Sequence, residues 1–196
     1  MTTKREMKPL YFRLKGLTPL LMNNPSGMLI ARETKARSTT KDYDPEEDAK
    51  KTRYLLPDGT LYVPAVAVRA SLLKGSIGTK FGKYSAQSIL SAGIELSDPE
   101  FPITDEFQNP MPENKYKADI RTVVIQGSRV VKGRAMVELP WFVECTFMYD
   151  ENMLSNRADF MLVVNRGGSI AGLLDYRPSK KGWFGKYEIV EDSLEM

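Results

Sequence analysis

Two segments far apart in the chain alternate apolar and polar residues with a period of two, and that alternation constrains the fold most. In one, Leu10, Phe12 and Leu14 point to one side while Tyr11, Arg13 and Lys15 point to the other. In the second, Trp141, Val143, Cys145 and Phe147 alternate with Phe142, Glu144, Thr146 and Met148. Successive side chains of a β-strand face opposite ways, so each segment reads as a strand with one buried and one open face. Two stretches of helical character accompany them. Pro64 opens the first, with Val66, Ala70, Leu73 and Ile77 expected on its apolar stripe and Arg69 and Lys74 outside it. Ser155 is expected to cap the second, where Phe160, Val163, Val164 and Gly167 recur at helical spacing. That helix is expected to stop near Gly167 and Gly168, because glycine accepts the left-handed turn that closes a helix.

The remaining segments fill in around this frame. Asp44, Pro45, Glu46 and Glu47 make a helix start, with a capping side chain, a first-turn proline and acids facing the dipole. The helix should end around Arg53. Pro57, Asp58 and Gly59 mark the turn of a small hairpin within Tyr54–Val63. Ile94–Leu96 reads as a short strand, whereas residues 97–118, rich in proline, acids and asparagine, read as an excursion away from the core. Ile120–Gln126 and Arg129–Met136 read as a hairpin joined by Gly127 and Ser128. Phe184–Val190 reads as a last strand before an acidic tail. Ile30–Lys41, polar and rich in serine, threonine and cations, forms an insertion, either one that orders on a partner or a plain surface excursion. Taken in order these elements give a single α+β domain over residues 1–196. Its plan is ferredoxin-like, βαββαβ, with an antiparallel sheet, two helices on one face, the other face free, and large insertions.

Charge is informative through its distribution. The formal net charge is only +3, but Arg121, Arg129, Lys132 and Arg134 fall in a stretch without acids. So do Arg177, Lys180, Lys181 and Lys186. Grouped cations are what a polyanion-binding surface requires. A single cysteine excludes an internal disulfide, and the absence of histidine removes most transition-metal and triad chemistry. Cys145 falls on the buried side of its strand, where a core thiol is expected. No cofactor or metal centre is implied. The first ten residues lack the apolar core of a secretion signal, which reads as a cytoplasmic protein or one made and used inside a host cell.

The stretch Arg177–Tyr187 adds Trp183, Phe184 and Tyr187 and two glycines to its four cations, with no acid. Cations for phosphates, flat rings for bases and glycines for close backbone approach suit a single-stranded nucleic acid. Expected phosphate contacts are Arg13, Lys15, Arg32, Lys35, Arg37, Arg121, Arg129, Lys132, Arg134, Arg177, Lys180, Lys181 and Lys186, with Tyr11, Trp183 and Tyr187 as stacking rings.

A strand followed by a variable insertion, a helix entered through proline as in YVPAVAVRASLLKGS, and the glycine-bearing loop IAGLLDYRPSKKGWFGKYEI before the last strand together resemble the RAMP superfamily. Its best-known members are backbone subunits of CRISPR effector complexes in antiviral defence, and it has compact relatives in phages. The resemblance implies a non-catalytic subunit that stacks head to tail with copies of itself along RNA, or along single-stranded DNA, alone or beside other effector subunits. Residues 23–53 would then be a finger-like insertion, and Gly172, Arg177, Pro178, Gly182 and Gly185 would belong to the glycine-rich loop. This chain lacks the histidine used by many RNA-cleaving relatives.

Two other classes of function fit the same residues. A Mg²⁺-dependent nuclease would hold its metal on carboxylates such as Asp42, Asp44 or Asp175. A phage assembly factor or an inhibitor of host defence would use the basic loops against an acidic protein.

Overall fold

The computed structural model describes residues 5–26, 44–125 and 127–196. The central sheet forms around β1 (Met7–Gly16) and β10 (Phe142–Asp150), the two alternating segments, which pair antiparallel along their length with Leu10 opposite Phe147 and Leu14 opposite Val143. On the far side of β1 runs β11 (Tyr187–Ile189). On the far side of β10 lie β6 (Ile94–Leu96) and β7 (Glu100–Thr104), followed outward by β3 (Tyr62–Pro64). Two helices complete the plan: α2 (Ala65–Gly75) between β1 and the β6–β7 pair, and α4 (Arg157–Arg166) between β10 and β11. In chain order the sheet reads fourth, first, third and second strand. With antiparallel neighbours and two helices on one face, that order is the ferredoxin-like arrangement, so the α+β expectation holds.

The helix-facing side is apolar for the reason the alternation indicated: Leu10, Phe12, Leu14, Val143, Cys145 and Phe147 are fully buried. Phe160 of α4 meets Phe12 edge to face with centroids 5.3 Å apart, and Phe101 meets Phe147 likewise at 5.1 Å. Trp141 is buried just before β10, where its indole N–H donates to Thr18 O at 2.9 Å. Burial pushes the Cys145 thiol well above its ordinary pKa, which leaves it a packing group.

A second, smaller sheet stands beside the first. It consists of β2 (Leu20–Leu21), β9 (Ser128–Val137) and β8 (Lys117–Ile125), with Gly127 at φ 82 in the turn of the β8–β9 hairpin. Helix α1 (Pro45–Lys51) lies on β9, close enough that a Cβ on Gly133 would fall 1.7 Å from Pro45 O. Asp44 caps that helix by accepting from the N–H groups of Glu46 and Glu47, and the Thr52 hydroxyl accepts from Ala135 N at 2.8 Å. The remaining elements are the two-stranded β4 (Lys80–Phe81) and β5 (Tyr84–Ser85), and helix α3 (Ala86–Gly93). Among the described residues no helix is long and apolar enough to cross a membrane.

Four expectations need correction. Part of the supposed excursion over residues 97–118 is β7, with Phe101 and Ile103 in the core. The prolines at 99 and 102 concealed a strand that Ser97–Pro99 merely interrupts. On α2 the buried positions are Ala65, Val68, Ser71, Leu72 and Gly75, while Val66 is 60% exposed, and Ile77, which lies beyond the end of the helix, is 45% exposed. Two stripes of helical period overlap in that sequence, and the one with smaller residues faces inward. The cap of α4 is Asn156, one residue beyond Ser155, and the acidic tail is docked: Leu194 is buried and Arg157 donates to Glu191 O at 2.6 Å.

Gly167 and Gly168 do not end their helix in a left-handed turn. The chain continues through them as a π turn, Gly167–Ala171, and reverses only at Gly172, φ 68. These glycines are needed for close approach instead. A Cβ on Gly168 would sit 1.9 Å from Tyr187 O, and one on Gly75 would sit 2.4 Å from Gly167 N and 2.5 Å from Val163 O. Helix propensity alone favours alanine over glycine at position 75 by about 1 kcal/mol. The packing predicts the opposite sign: Gly75→Ala should lose about 1–3 kcal/mol in chemical denaturation, and unchanged or increased stability would contradict the close crossing of α2 and α4.

Candidate nucleic-acid interface

After the π turn the chain forms a loop from Gly172 to Lys186 that is tied down by its own backbone. Leu173 N donates to Gly185 O at 2.9 Å, Asp175 N to Leu21 O at 2.9 Å, Gly182 N to Arg177 O at 3.0 Å and Gly185 N to Pro19 O at 2.8 Å. Leu174 (φ 57), Tyr176 (φ 46) and Lys181 (φ 59) are left-handed, three of the four non-glycine residues so placed among the described residues. Each such residue costs on the order of 1–2 kcal/mol, so the cross-links must hold the strain. Gly182 and Gly185 permit the tight course: a Cβ on either would come within 1.7 Å of Tyr176 O or 2.2 Å of Leu173 O.

This loop forms one wall of an open cleft of about 600 Å³, and α2 forms the other. The α2 wall is Val66, Ala67, Ala70 and Lys74, which explains why those small apolar residues face outward. Asp175, Arg177 and Lys180 line the loop wall, with Asn23 also at the lining. Among the described residues the one acid there is already committed: Asp175 Oδ2 accepts from Arg134 at 2.9 Å and its Oδ1 from Tyr176 N at 2.9 Å. Arg177 donates to Ser179 Oγ at 3.1 Å and to Leu174 O, both neutral acceptors. Among the described residues Lys74, Arg177 and Lys180 form no ion pair. Lys132 adjoins the cleft through its bond to Asn23 Oδ1, 2.9 Å, and burial holds its pKa below the ordinary lysine range although Asp175 and Asp48 favour its charge.

The expected site residues therefore divide. Arg177 and Lys180 come together, with exposed Lys181 beside them; Lys132 adjoins, and Trp183 is 49% exposed on the same loop. Arg121 reaches this loop from β8, its guanidinium 4.9 Å from the Phe184 ring centre and its Nε 2.7 Å from Asp119. Arg129 is exposed on the hairpin and Lys186 is half-buried. Arg32, Lys35, Arg37 and Asp42 lie outside the described residues.

The others are placed elsewhere. The expected free face of the sheet is internally paired: Arg13 is only 8% exposed, 2.8 Å from Glu144 and stacked over Phe142, and Tyr11 donates its hydroxyl to Glu144. That bond and burial raise the tyrosine's pKa, burial first. Lys15 pairs with Glu188 at 3.5 Å. Arg134 is buried between Asp175 and Asp119, the latter 3.5 Å away. Tyr187 is a core residue, 1% exposed, with its hydroxyl 2.7 Å from Ser71 Oγ, and cannot stack on a base in this conformation. Period-two alternation tells which side of a strand a residue is on, not what covers that side. Sequence reading missed Lys74 in the cleft and the exposed Tyr176; the one available signal was that Val66, Ala67, Ala70 and Lys74 are spaced as a helix face.

Of the carboxylates considered for a metal, Asp44 is the cap of α1 and Asp175 is paired with Arg134. Among the described residues no cluster of three acids or thiols is placed to hold a metal ion.

No family model matches the sequence, and no curated protein matches it. Among solved structures the chain is similar to the crystal structure of Cmr6 from Pyrococcus furiosus, at 10% identity and a TM-score of 0.48, over 93% of this chain and 98% of that one. At that level the similarity is one of outline, and the ferredoxin-like assignment rests on the chain's own strand order.

The Arg134 cluster carries its own prediction. Arg134→Met leaves buried Asp119 and half-buried Asp175 without the guanidinium between them, and removing one member of a buried ionic group typically costs about 3–5 kcal/mol. Arg121 still compensates Asp119, which places the expected loss in chemical denaturation near the lower end of that range. A loss under about 1 kcal/mol would mean that the carboxylates are hydrated and the cluster does not organise the cleft wall.

Proposed function

We propose that this chain is a single-stranded nucleic-acid-binding subunit of the RAMP kind, which holds a phosphodiester backbone in the cleft between α2 and the Gly172–Lys186 loop. The observation that carries this reading is the concentration of Lys74, Arg177 and Lys180 around one open cleft whose only acid among the described residues is neutralised from behind, while Arg13, Lys15 and Arg134 are consumed by carboxylates. Unpaired cations on a pre-organised wall attract a polyanion and release its counterions. The small apolar residues of α2 let a sugar-phosphate chain approach the helix closely. Asn23, where the 23–53 insertion starts, lines the same cleft, which supports reading that insertion as a finger along the bound strand. Copies of the chain would then follow one another along RNA or single-stranded DNA, with no reaction required of the cleft.

Fluorescence anisotropy with labelled single-stranded RNA and DNA over a salt series tests this. Three phosphate contacts give a slope of log affinity against log salt of about −2 for a single strand. Lys74→Ala should flatten the slope by about 0.7, and Lys180→Ala with Lys181→Ala by up to about 1.4, without changing sequence preference. A slope near zero, or variants that bind like the parent, would refute the cleft as the phosphate site. In sedimentation, the number of copies bound should rise with strand length; a single copy on every length would remove the assembly from the reading.

A further inference from the structure

The loop that supplies the cleft's cations also carries a cluster of rings with no evident structural need to be exposed. Phe184 is fully buried, and around it sit Trp183 at 4.8 Å and Tyr176 at 6.0 Å between ring centres, each tilted by 40°. Arg121 lies over the same ring. Trp183 and Tyr176 remain 49% and 41% exposed, so part of each large ring faces water. Tyr176 moreover occupies a left-handed position at φ 46, which glycine or asparagine would take without strain if only the turn mattered. The residue that follows it is Arg177, in the cleft wall.

We infer that Tyr176 and Trp183, seated on Phe184 and flanked by the Arg121 guanidinium, form a platform that takes an unstacked nucleobase of the strand whose phosphates lie in the cleft. This rests on the single-strand reading above and adds to it where the base goes. An aromatic ring accepts any base on its face, and a planar guanidinium can stack beside it, so the platform is tolerant of sequence. Fixing the rings on a buried phenylalanine and a cross-linked loop lowers the ordering cost of binding. The placement of adjacent residues does the rest: Tyr176 beside Arg177, and Trp183 two residues beyond Lys181, alternate ring and cation as a nucleotide chain alternates base and phosphate.

The test compares an oligothymidylate of roughly 12 nucleotides with an abasic strand of equal length and charge. The parent protein should bind the base-bearing strand at least about 5-fold more tightly, as one stacked base contributes by alanine substitution. Tyr176→Ala with Trp183→Ala should bring the two affinities together while leaving the abasic strand's affinity and salt slope unchanged. Trp183→Phe, which keeps a ring, should retain most of the difference and guards against a folding defect. Trp183 emission should change on adding the base-bearing strand and not the abasic one, since the other tryptophan, Trp141, is fully buried. Equal affinity of the parent for both strands, or a difference that survives the double substitution, overturns the platform and leaves the phosphate cleft standing. Failure to bind either strand overturns both, and retention of an acidic protein in place of either strand would assign the rings to a protein partner.

Discussion

Backbone meets backbone where α2, the end of α4 and β11 converge, and the dimensions of the cleft follow from that contact. Gly75 and Gly167 let the two helices cross without side chains between them, and Gly168 lets the π turn rest on the carbonyl of Tyr187. Ser71 then closes the seam: its hydroxyl lies 3.1 Å from Gly167 O and 2.7 Å from the Tyr187 hydroxyl. A larger residue at any of these glycines would push the π turn away from α2, and the loop that starts at Gly172 would move with it. The distance between Lys74 on one wall and Arg177 and Lys180 on the other is therefore fixed by groups that touch no ligand.

Electrostatics sorts the basic residues into two populations. Arg13 and Arg134 are arginines in places where a planar, always-charged group can meet more than one acceptor, and both are nearly buried. Buried ionic groups of this sort add little net stability over apolar replacements, but removing one partner is costly, which makes them good at specifying a single arrangement. Arg134 specifies how the β8–β9 hairpin sits against the cleft loop, through Asp119 on its neighbouring strand and Asp175 on the loop. Lysines dominate the other population, at the cleft rim, where mobile cations suit a phosphate chain of variable path.

Much of the frame was legible before any coordinates. The alternating strands, the Asp44 cap, the Gly127 hairpin and the core positions Phe160, Val163 and Val164 all follow from local patterns whose physics is local. What escaped was decided by partners distant in sequence. The face of α2 that turned inward was chosen by the approach of Gly167, not by hydrophobic content, and the strand at Phe101–Ile103 was concealed by Pro99 and Pro102, although β10 and β3 hold it from both sides. At the site the same division appears. Arg177, Lys180 and Trp183 were visible as a basic, aromatic run, because loops display their composition. Arg13, Arg134 and Tyr187 were misplaced because Glu144, Asp175 and Ser71, which cover them, lie far along the chain.

The strained backbone of the loop has a direct consequence for recognition. Three left-handed residues within Leu174–Lys181 would relax in an isolated peptide, so the conformation exists only because Leu21, Pro19 and Gly185 hold its backbone from outside. Such a loop takes its shape during folding, so, on the proposed reading, the ordering entropy that a mobile basic segment would lose on a nucleic acid is already lost. On the proposed reading, affinity per phosphate can be modest while register is well defined, as copies following one another along one strand would require. The same rigidity means that the ring cluster and the cleft cannot adjust independently, so a strand that seats its phosphate at Arg177 must bring the attached base to Tyr176 or leave that ring in water.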